Sequence, residues 1–369
     1  MVDLDLEWEN FNANINTINY NDININNSSV EIPKCGPIYI STQTKIAFLN
    51  QSVNLRKVFW NIPITNYSTP VDGGIIKKSM KISCQTDEEI IELETYIKKE
   101  PKAEVHNITK TNKSLKIQKF KDVRKINVGI SKKDIISIKK KQKKCFYNCF
   151  ALIMRLKYNN TYKEVHIKVF NTGKLEIPGI QSSDLLFITL DKLLTLFNSI
   201  KNISNKKFDY YRDRIETVLI NSNFNCGFYI NRSKLFDALK YKYNIHALYD
   251  PCSYPGIQCK YYYNKTNESN NGVCYCDTKC TKRKKLLRDK HKDIKYCKEI
   301  SFMIFRTGSI LIVGNCDESI LNLIYEFLKK ILHDEFDTIY NGINNEVKEK
   351  KTIKKRKKEI LIKNQTSNP

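Results

Sequence analysis

The sequence predicts an α+β fold built by internal duplication, each copy combining antiparallel strands with a helix. Two observations carry this. Lys163–Gly179, KEVHIKVFNTGKLEIPG, aligns without a gap on Lys298–Gly314, KEISFMIFRTGSILIVG, 135 positions later, sharing Lys-Glu, Phe, Thr-Gly, an Ile and the closing Gly. Each copy reads as two short strands joined at Thr-Gly, where glycine supplies the positive φ of a tight hairpin turn. Each copy is also followed by apolar residues at helical spacing, Leu185–Phe197 and Ile320–Leu332. A hairpin-plus-helix unit that occurs twice marks a repeated architecture.

With 369 residues, 41% of them apolar, the chain can bury one duplicated domain and still carry polar tails. Residues 1–54 open with Asp3, Asp5, Glu7 and Glu9 and continue as the Asn-rich tract Asn10–Asn27. There is little here to bury, which predicts a disordered arm whose small patch at Trp8 and Phe11 suits a basic surface. The first repeat is expected over 55–200, with a Lys-rich insertion over 100–144. Val58–Ile64 reads as its first strand, a turn falls at Gly73-Gly74, and Ile75–Ser83 reads as the next strand. Thr86–Lys99 has Ile90, Ile91, Leu93 and Ile97 at helical spacing, with acidic residues early and lysines late, as the helix dipole favours. Lys110–Lys144 holds fourteen Lys or Arg against two acidic residues, with β-like Lys125–Ile130 inside it. It is either an insertion that touches phosphate or a solvated loop. Phe146–Leu156 then reads as a nearly continuous apolar strand with Arg155 near its end.

The second repeat is expected over 201–338, with a Cys-rich insertion over 264–297. Ile215–Phe228 reads as a strand, and Arg232–Tyr243 as a helix with Leu235, Phe236 and Leu239 on one face. Tyr254–Tyr263 is the counterpart of the Phe146–Leu156 strand. Residues 339–369 form a basic tail containing KKRKK, Lys354–Lys358.

The formal net charge is +24. A balance this basic favours nucleic acid or another anionic surface through counterion release, the plainer alternative being a surface of solvated lysines. No signal sequence or apolar run long enough for a bilayer is evident, so the expectation is an intracellular chain with no membrane partner. Twelve cysteines in a reducing compartment are better read as packing residues or metal ligands than as disulfides. Cys274-x-Cys276-x3-Cys280, with Cys297 and His291 beyond, is a compact thiol cluster. Structural zinc takes four S or N ligands in a tetrahedron and can hold a loop that lacks a core. The cluster is therefore one zinc site, with Cys297 ahead of His291 as fourth ligand, or a set of free thiols in a polar loop. Cys226, Cys252, Cys259 and Cys316 read as ordinary packing. Triplets such as Asn66-Tyr67-Ser68 follow from Asn-rich composition rather than glycosylation. There is no Gly-rich phosphate loop, nucleophile–base pair or paired carboxylate, and His106, His166, His246, His291 and His333 are scattered. The chain is not expected to be an enzyme.

The duplicated segments resemble the TATA-binding protein family. The family signature is an apolar strand ending in a basic residue, followed by I-F-x-S-G-K-hydrophobic-hydrophobic-x-T-G-A. Ala151–Arg155 with Val169–Gly179 resembles it in the first half, and Tyr254-Pro255-Gly256-Ile257 with Ile304–Gly314 in the second. The likeness covers roughly 58–336. The arm with Trp8-Glu9, the segment GIIKKSMK (Gly74–Lys81), INSNF (Ile220–Phe224) and the cysteine-bearing insertion are similar to the divergent factors of nucleocytoplasmic large DNA viruses. The resemblance implies a pseudo-two-fold saddle, a curved antiparallel sheet with helices on its convex face, that grips the DNA minor groove. It implies a general transcription initiation factor for viral genes, acting on A/T-rich promoter DNA with a transcription factor IIB-like partner and RNA polymerase. It also implies a place in the viral factory or host nucleus, or packaging in the virion.

The family kinks DNA with apolar wedges. The resemblance puts Phe170, Phe305 and Tyr254 at wedge positions, with Met303, Leu311 and Val313 beside Phe305. The fourth position falls at Cys149 by strict alignment, with Phe150 one residue off and Phe146 three residues earlier as alternatives. The family's groove-reading Gln-Asn falls at Glu216-Thr217, and Thr217 and Leu219 join the DNA face. Phosphate clamps fall at Arg155, Lys174 and Lys260, while Ser309 stands in place of the family lysine in the second turn. In the first half Lys168, Glu176 and Pro178 share the face with Phe170, where a glutamate is tolerated only if Lys168 pairs with it. That departure motivates a rival reading, a saddle-fold interaction scaffold that has lost DNA binding. A nucleic-acid enzyme such as a DNA glycosylase, in which similar folds also occur, is the more distant rival.

Overall fold

Alternating burial along the strands separates a helix-covered face from its opposite. The computed structural model describes residues 31–100, 103–107, 122–136, 148–201, 204–265, 270–276, 280 and 297–343. Contacts divide the chain into two units. The first is built from Thr42–Ile220, and the second from the described residues of Asn221–Glu346 together with those preceding Thr42.

The first unit contains β1 (Tyr39–Phe48, from Thr42 onward), β2 (Gly74–Cys84), β3 (Ala103–Asn107), β4 (Asp122–Gly129), β5 (Cys149–Tyr158), β6 (Thr161–Phe170) and β7 (Lys174–Ile180). They order as β1-β7-β6-β5-β2-β4-β3, every neighbouring pair antiparallel. Leu152, Met154, Val165, Ile167, Val169, Leu175 and Ile177 point into one core. Helices α1 (Leu55–Asn61), α2 (Asp87–Lys98) and α4 (Ser183–Ser199) supply its other side, through Val58, Phe59, Leu93, Leu186, Leu190 and Phe197. The short α3 spans Lys132–Ile136. Lys78 is fully buried under α1. Its ammonium donates to the Ile62 carbonyl at 2.8 Å and to Glu100 at 2.9 Å, and lies 5.2 Å from the Phe59 ring centre.

In the second unit β10 (His246–Leu248), β11 (Ile257–Tyr263), β12 (Lys298–Ile304) and β13 (Ser309–Gly314) are hydrogen-bonded in sequence, and β13 continues to β8 (Glu216–Asn225). Helix α5 (Arg232–Asp237) runs into a π-helical turn, Ala238–Lys242. Helix α6 (Glu318–Asp334) buries Ile320, Ile324, Leu328 and Ile331, and its Phe327 ring meets buried Tyr261 of β11 edge-on at 5.2 Å. Helix α7 (Phe336–Ile339) leads into β14 (Tyr340–Ile343), which pairs with β9 (Phe228–Ile230).

The duplication extends to individual hydrogen bonds. The 17-residue helices begin at Ser183 and Glu318, 135 positions apart like the hairpins, and are capped by Ser182 and Asp317. An earlier segment repeats at a second constant offset. Tyr39–Phe48 matches Glu216–Asn225, Leu55 matches Arg232, and Asn54 and Asn231 each cap the short helix by accepting from the amide three residues on. In the first unit Leu49 N donates to Gly173 O at 2.8 Å and Val53 N to Asn171 O at 2.9 Å. In the second, Cys226 N donates to Gly308 O at 2.9 Å and Ile230 N to Arg306 O at 2.8 Å. Both turn glycines have positive φ, 84° and 78°, and a Cβ at either would lie 2.4 or 2.3 Å from a carbonyl oxygen, of Gln51 or Phe228.

Several sequence expectations are corrected. Val58–Ile64 does not form a strand. Asn54 accepts from Lys57 N, and Leu55, Val58 and Phe59 share the buried side of helix α1, so the local 3.6-residue period prevails over β-propensity. The disordered arm does not extend to residue 54, because Tyr39–Phe48 is strand β1, with buried Ile46 and Ala47. Its polar centre, Ser41–Lys45, leaves no apolar alternation, and pairing with β7 holds it. The strand expected from Tyr254 starts at Ile257, and Cys252 lies exposed in a turn rather than packed. The segments holding Trp8, Phe11, most of the Lys-rich insertion, His291 and Lys354–Lys358 lie outside the described residues.

Candidate nucleic-acid interface and metal centre

In the second unit, β12 and β13 put Ile300, Phe302, Ile304, Ile310 and Ile312 into the core. Alternation therefore sends Ser301, Met303, Phe305, Leu311 and Val313 to the face away from α6, all half-buried. Met303 stands opposite Leu311, and Ser301 opposite Val313. Phe305 follows the last β12 residue, fixed by Phe305 N to Ser309 O at 3.0 Å and Gly308 N to Phe305 O at 3.1 Å. Tyr254 joins it, the ring centres 6.0 Å apart and tilted by 58°, with the phenol donating to Met303 Sδ at 3.4 Å. The turn before Tyr254 is held by Asp250, which accepts from Cys252 N at 3.1 Å and Ser253 Oγ at 2.7 Å. Gly256 lies against both rings, since a Cβ there would sit 3.0 Å from Phe305 Cε1 and 3.1 Å from Tyr254 Cε1. Tyr254, Phe305, Met303, Leu311 and Val313 are thus brought onto one apolar strip.

The corresponding face of the first unit is more polar. Phe170 is half-buried, with Lys174 Nζ 5.5 Å from its ring centre. Lys168 does pair with Glu176, at 2.6 Å. The β5–β6 register sets Cys149 opposite Phe170, whereas in the second unit Ile257 is opposite Ile304 and Gly256 precedes it. Cys149 therefore matches Gly256, and the partner of Tyr254 in this comparison is Tyr147, which lies outside the described residues. The hydrogen-bonded register thus differs by two residues from an alignment through ALIMR, because apolar strands match in residue type at several even shifts.

Arg155 does not stand as a free phosphate clamp. It is 7% exposed, donates to the Tyr67 carbonyl at 2.7 Å, lies over the Tyr67 ring and reaches Glu164 at 3.5 Å. Lys260 pairs with Glu299 at 3.0 Å. In the first unit's part of β8, Leu219 is exposed and Thr217 accepts from Lys45 Nζ at 2.7 Å, a lysine the sequence reading did not single out.

The cysteine cluster assembles as its spacing suggested. The Sγ atoms of Cys274, Cys276, Cys280 and Cys297 all lie within 4.8 Å of one another. The Sγ atoms are 3.6 Å apart for Cys276–Cys297, 3.7 Å for Cys276–Cys280 and 3.8 Å for Cys274–Cys297. Four sulfurs about 2.3 Å from one zinc would be about 3.8 Å apart at the edges of a tetrahedron, so the donor set fits. Local chemistry positions it. Tyr262 N donates to Gly272 O at 3.0 Å, Asn271 accepts from Val273 N at 3.2 Å, and Cys297 directly precedes β12. Gly272 has φ 80°, and a Cβ there would press on Tyr261 and Ile245. Burial pushes the Cys274 thiol up, but backbone and thiol hydrogen bonds from Cys280, Cys276 and Cys297 outweigh it and bring it to about 7. Burial pushes Cys280 up to about 11.

No family model matches the chain. A "TATA-box-binding protein-like" protein of Acanthamoeba polyphaga mimivirus is 24% identical over 218 residues, covering 56% of this chain and 54% of that relative. The chain thus spans about half the length of the curated relative it matches. Among solved structures, Methanococcus jannaschii TBP overlaps 81% of this chain and 99% of its own, at 13% identity and a TM-score of 0.36, too low to bear on the fold. The sequence match makes this chain a divergent relative of a viral TATA-box-binding protein-like protein.

Proposed function

We propose that the chain is a DNA-binding transcription initiation factor that binds and bends A/T-rich promoter DNA through the minor groove. It would serve viral genes, recruiting a transcription factor IIB-like partner and RNA polymerase in the viral factory or host nucleus, or after packaging in the virion. The observation that carries the reading is the strip Tyr254, Phe305, Met303, Leu311 and Val313. Half-buried aromatic and aliphatic side chains on a sheet face are the chemistry that unstacks a base step in a widened minor groove. The net charge of +24 adds the sequence-independent attraction. The reading includes one structural zinc at Cys274, Cys276, Cys280 and Cys297, clasping the two ends of the insertion beside β11 and β12.

The test is a fluorescence-anisotropy titration with A/T-rich and G/C-rich duplexes over a range of salt. Log affinity should fall steeply with log salt, and deleting Lys348–Lys363 should weaken both duplexes alike. An affinity that does not change with salt overturns the electrostatic part, and absence of binding favours the scaffold. One observation speaks for that second reading: Lys168, Lys260 and Arg155 each face a carboxylate of the chain itself.

A further inference from the structure

We propose that Glu176 and Glu299 act as internal stand-ins for DNA phosphate, each holding the lysine that its unit would otherwise offer to a duplex. This rests on the reading above, that these faces bind DNA. In the first unit Lys168 and Glu176 are directly opposite in the β6–β7 register, on the face that carries Phe170, and meet at 2.6 Å. In the second, Lys260 lies opposite Ser301 and Glu299 opposite Tyr262, so the pair is diagonal across β11 and β12, on the face that carries Met303, and meets at 3.0 Å.

Both pairs are held by strand geometry and both are reachable. The side chains of Lys168 and Glu176 are 35% and 25% exposed, and those of Lys260 and Glu299 are 28% and 15% exposed. A lysine ammonium is a rotatable point charge with three donors, so it can exchange a carboxylate for a phosphate oxygen. Exchange leaves the carboxylate beside a polyanion, which opposes binding. Each pair thereby cancels one counterion-releasing contact, and the two glutamates limit affinity on either face.

The third pair provides a contrast. Glu164 is the duplicate of Glu299 in the repeated Lys-Glu, but its partner Arg155 is almost fully buried and is also bonded to the Tyr67 carbonyl. Arg155 cannot turn to a ligand without breaking that contact, so Glu164 is a fold residue and not a tuning residue.

The experiment uses the full chain and an A/T-rich duplex, with anisotropy titrations from low to moderate salt. Glu176→Gln and Glu299→Gln keep side-chain shape and remove the charge. Each should raise affinity roughly fivefold at low salt and steepen the slope of log affinity against log salt by about 0.9. Adding Lys168→Met to Glu176→Gln should abolish the gain, and thermal melting should show both single variants folded. Glu164→Gln should lower the melting temperature without raising affinity. Unchanged affinity and slope in both single variants, with wild type binding normally, overturns this inference alone. Weaker binding in either folded variant also overturns it, and would make that glutamate a DNA contact. A wild type that binds no duplex removes the DNA reading itself, and this inference with it.

Discussion

Truncating Phe305 to alanine distinguishes a ring that serves DNA from a ring that serves the core, because Phe302 three residues earlier is an internal standard. Phe302 is fully buried among the core residues, and cutting such a ring to alanine costs about 3–5 kcal/mol. Phe305 is half-buried on the opposite face, touching Tyr254 at a ring separation of 6.0 Å and lying against Gly256. Its loss removes an aromatic pair worth about 0.5–1.5 kcal/mol and little cavity, so unfolding stability should fall by no more than about 2 kcal/mol. DNA binding should fall by at least as much. A wedge recovers the few kcal/mol of unstacking one base step, and losing about 2 kcal/mol of that is roughly thirtyfold in Kd. Phe170→Ala should cost less than a third of this effect, because Phe170 lies beside Lys174 and the Lys168–Glu176 pair rather than in an apolar strip. Urea unfolding measures the first quantity, anisotropy the second, and energy transfer between the ends of a doubly labelled duplex reports the bend. If Phe305→Ala destabilises the fold as much as Phe302→Ala does, the ring is core and the wedge assignment is wrong. Equal losses of bend for Phe170 and Phe305 would refute the asymmetry.

Three further outcomes are expected. Purified protein should carry about one zinc per chain, lowered by Cys276→Ser with the circular dichroism of the sheets retained. Metal analysis finding none, together with four freely titrating thiols, would remove the zinc. Lys78→Met should leave stability unchanged or raise it in urea unfolding, since a buried ion pair rarely outperforms a well-packed apolar side chain. Glu100→Ala should cost up to about 3 kcal/mol by leaving the ammonium the Ile62 carbonyl and the Phe59 ring but not this carboxylate. If both variants behaved alike, the account of this pair would fail.

The hairpins and long helices were legible because local signals coincide there: Thr-Gly turns at positions demanding positive φ, alternating apolar strands, and Ser182 or Asp317 caps before helical spacing. Helix α1 was misread because VFWNIPI is β-rich by propensity, while its buried residues follow a helical period and its cap lies outside that string at Asn54. Strand β1 carried no apolar alternation to read. The second wedge of the first unit was misplaced because aligning apolar strands by residue type leaves even-numbered slips undetermined, whereas hydrogen-bond partners do not.

What the sequence determined by itself is therefore whatever is written within one element or repeated at a constant spacing. That includes the duplication, the hairpin–helix units, the basic balance and the four cysteines that converge. Only the tertiary structure decided which charges are free to act. Arg155, Lys168 and Lys260 look alike in the sequence as cations on strands, and each proves to face a glutamate supplied by a neighbouring strand. Pairing across strands depends on register, and register is a property of two segments together. A single segment's composition cannot state it.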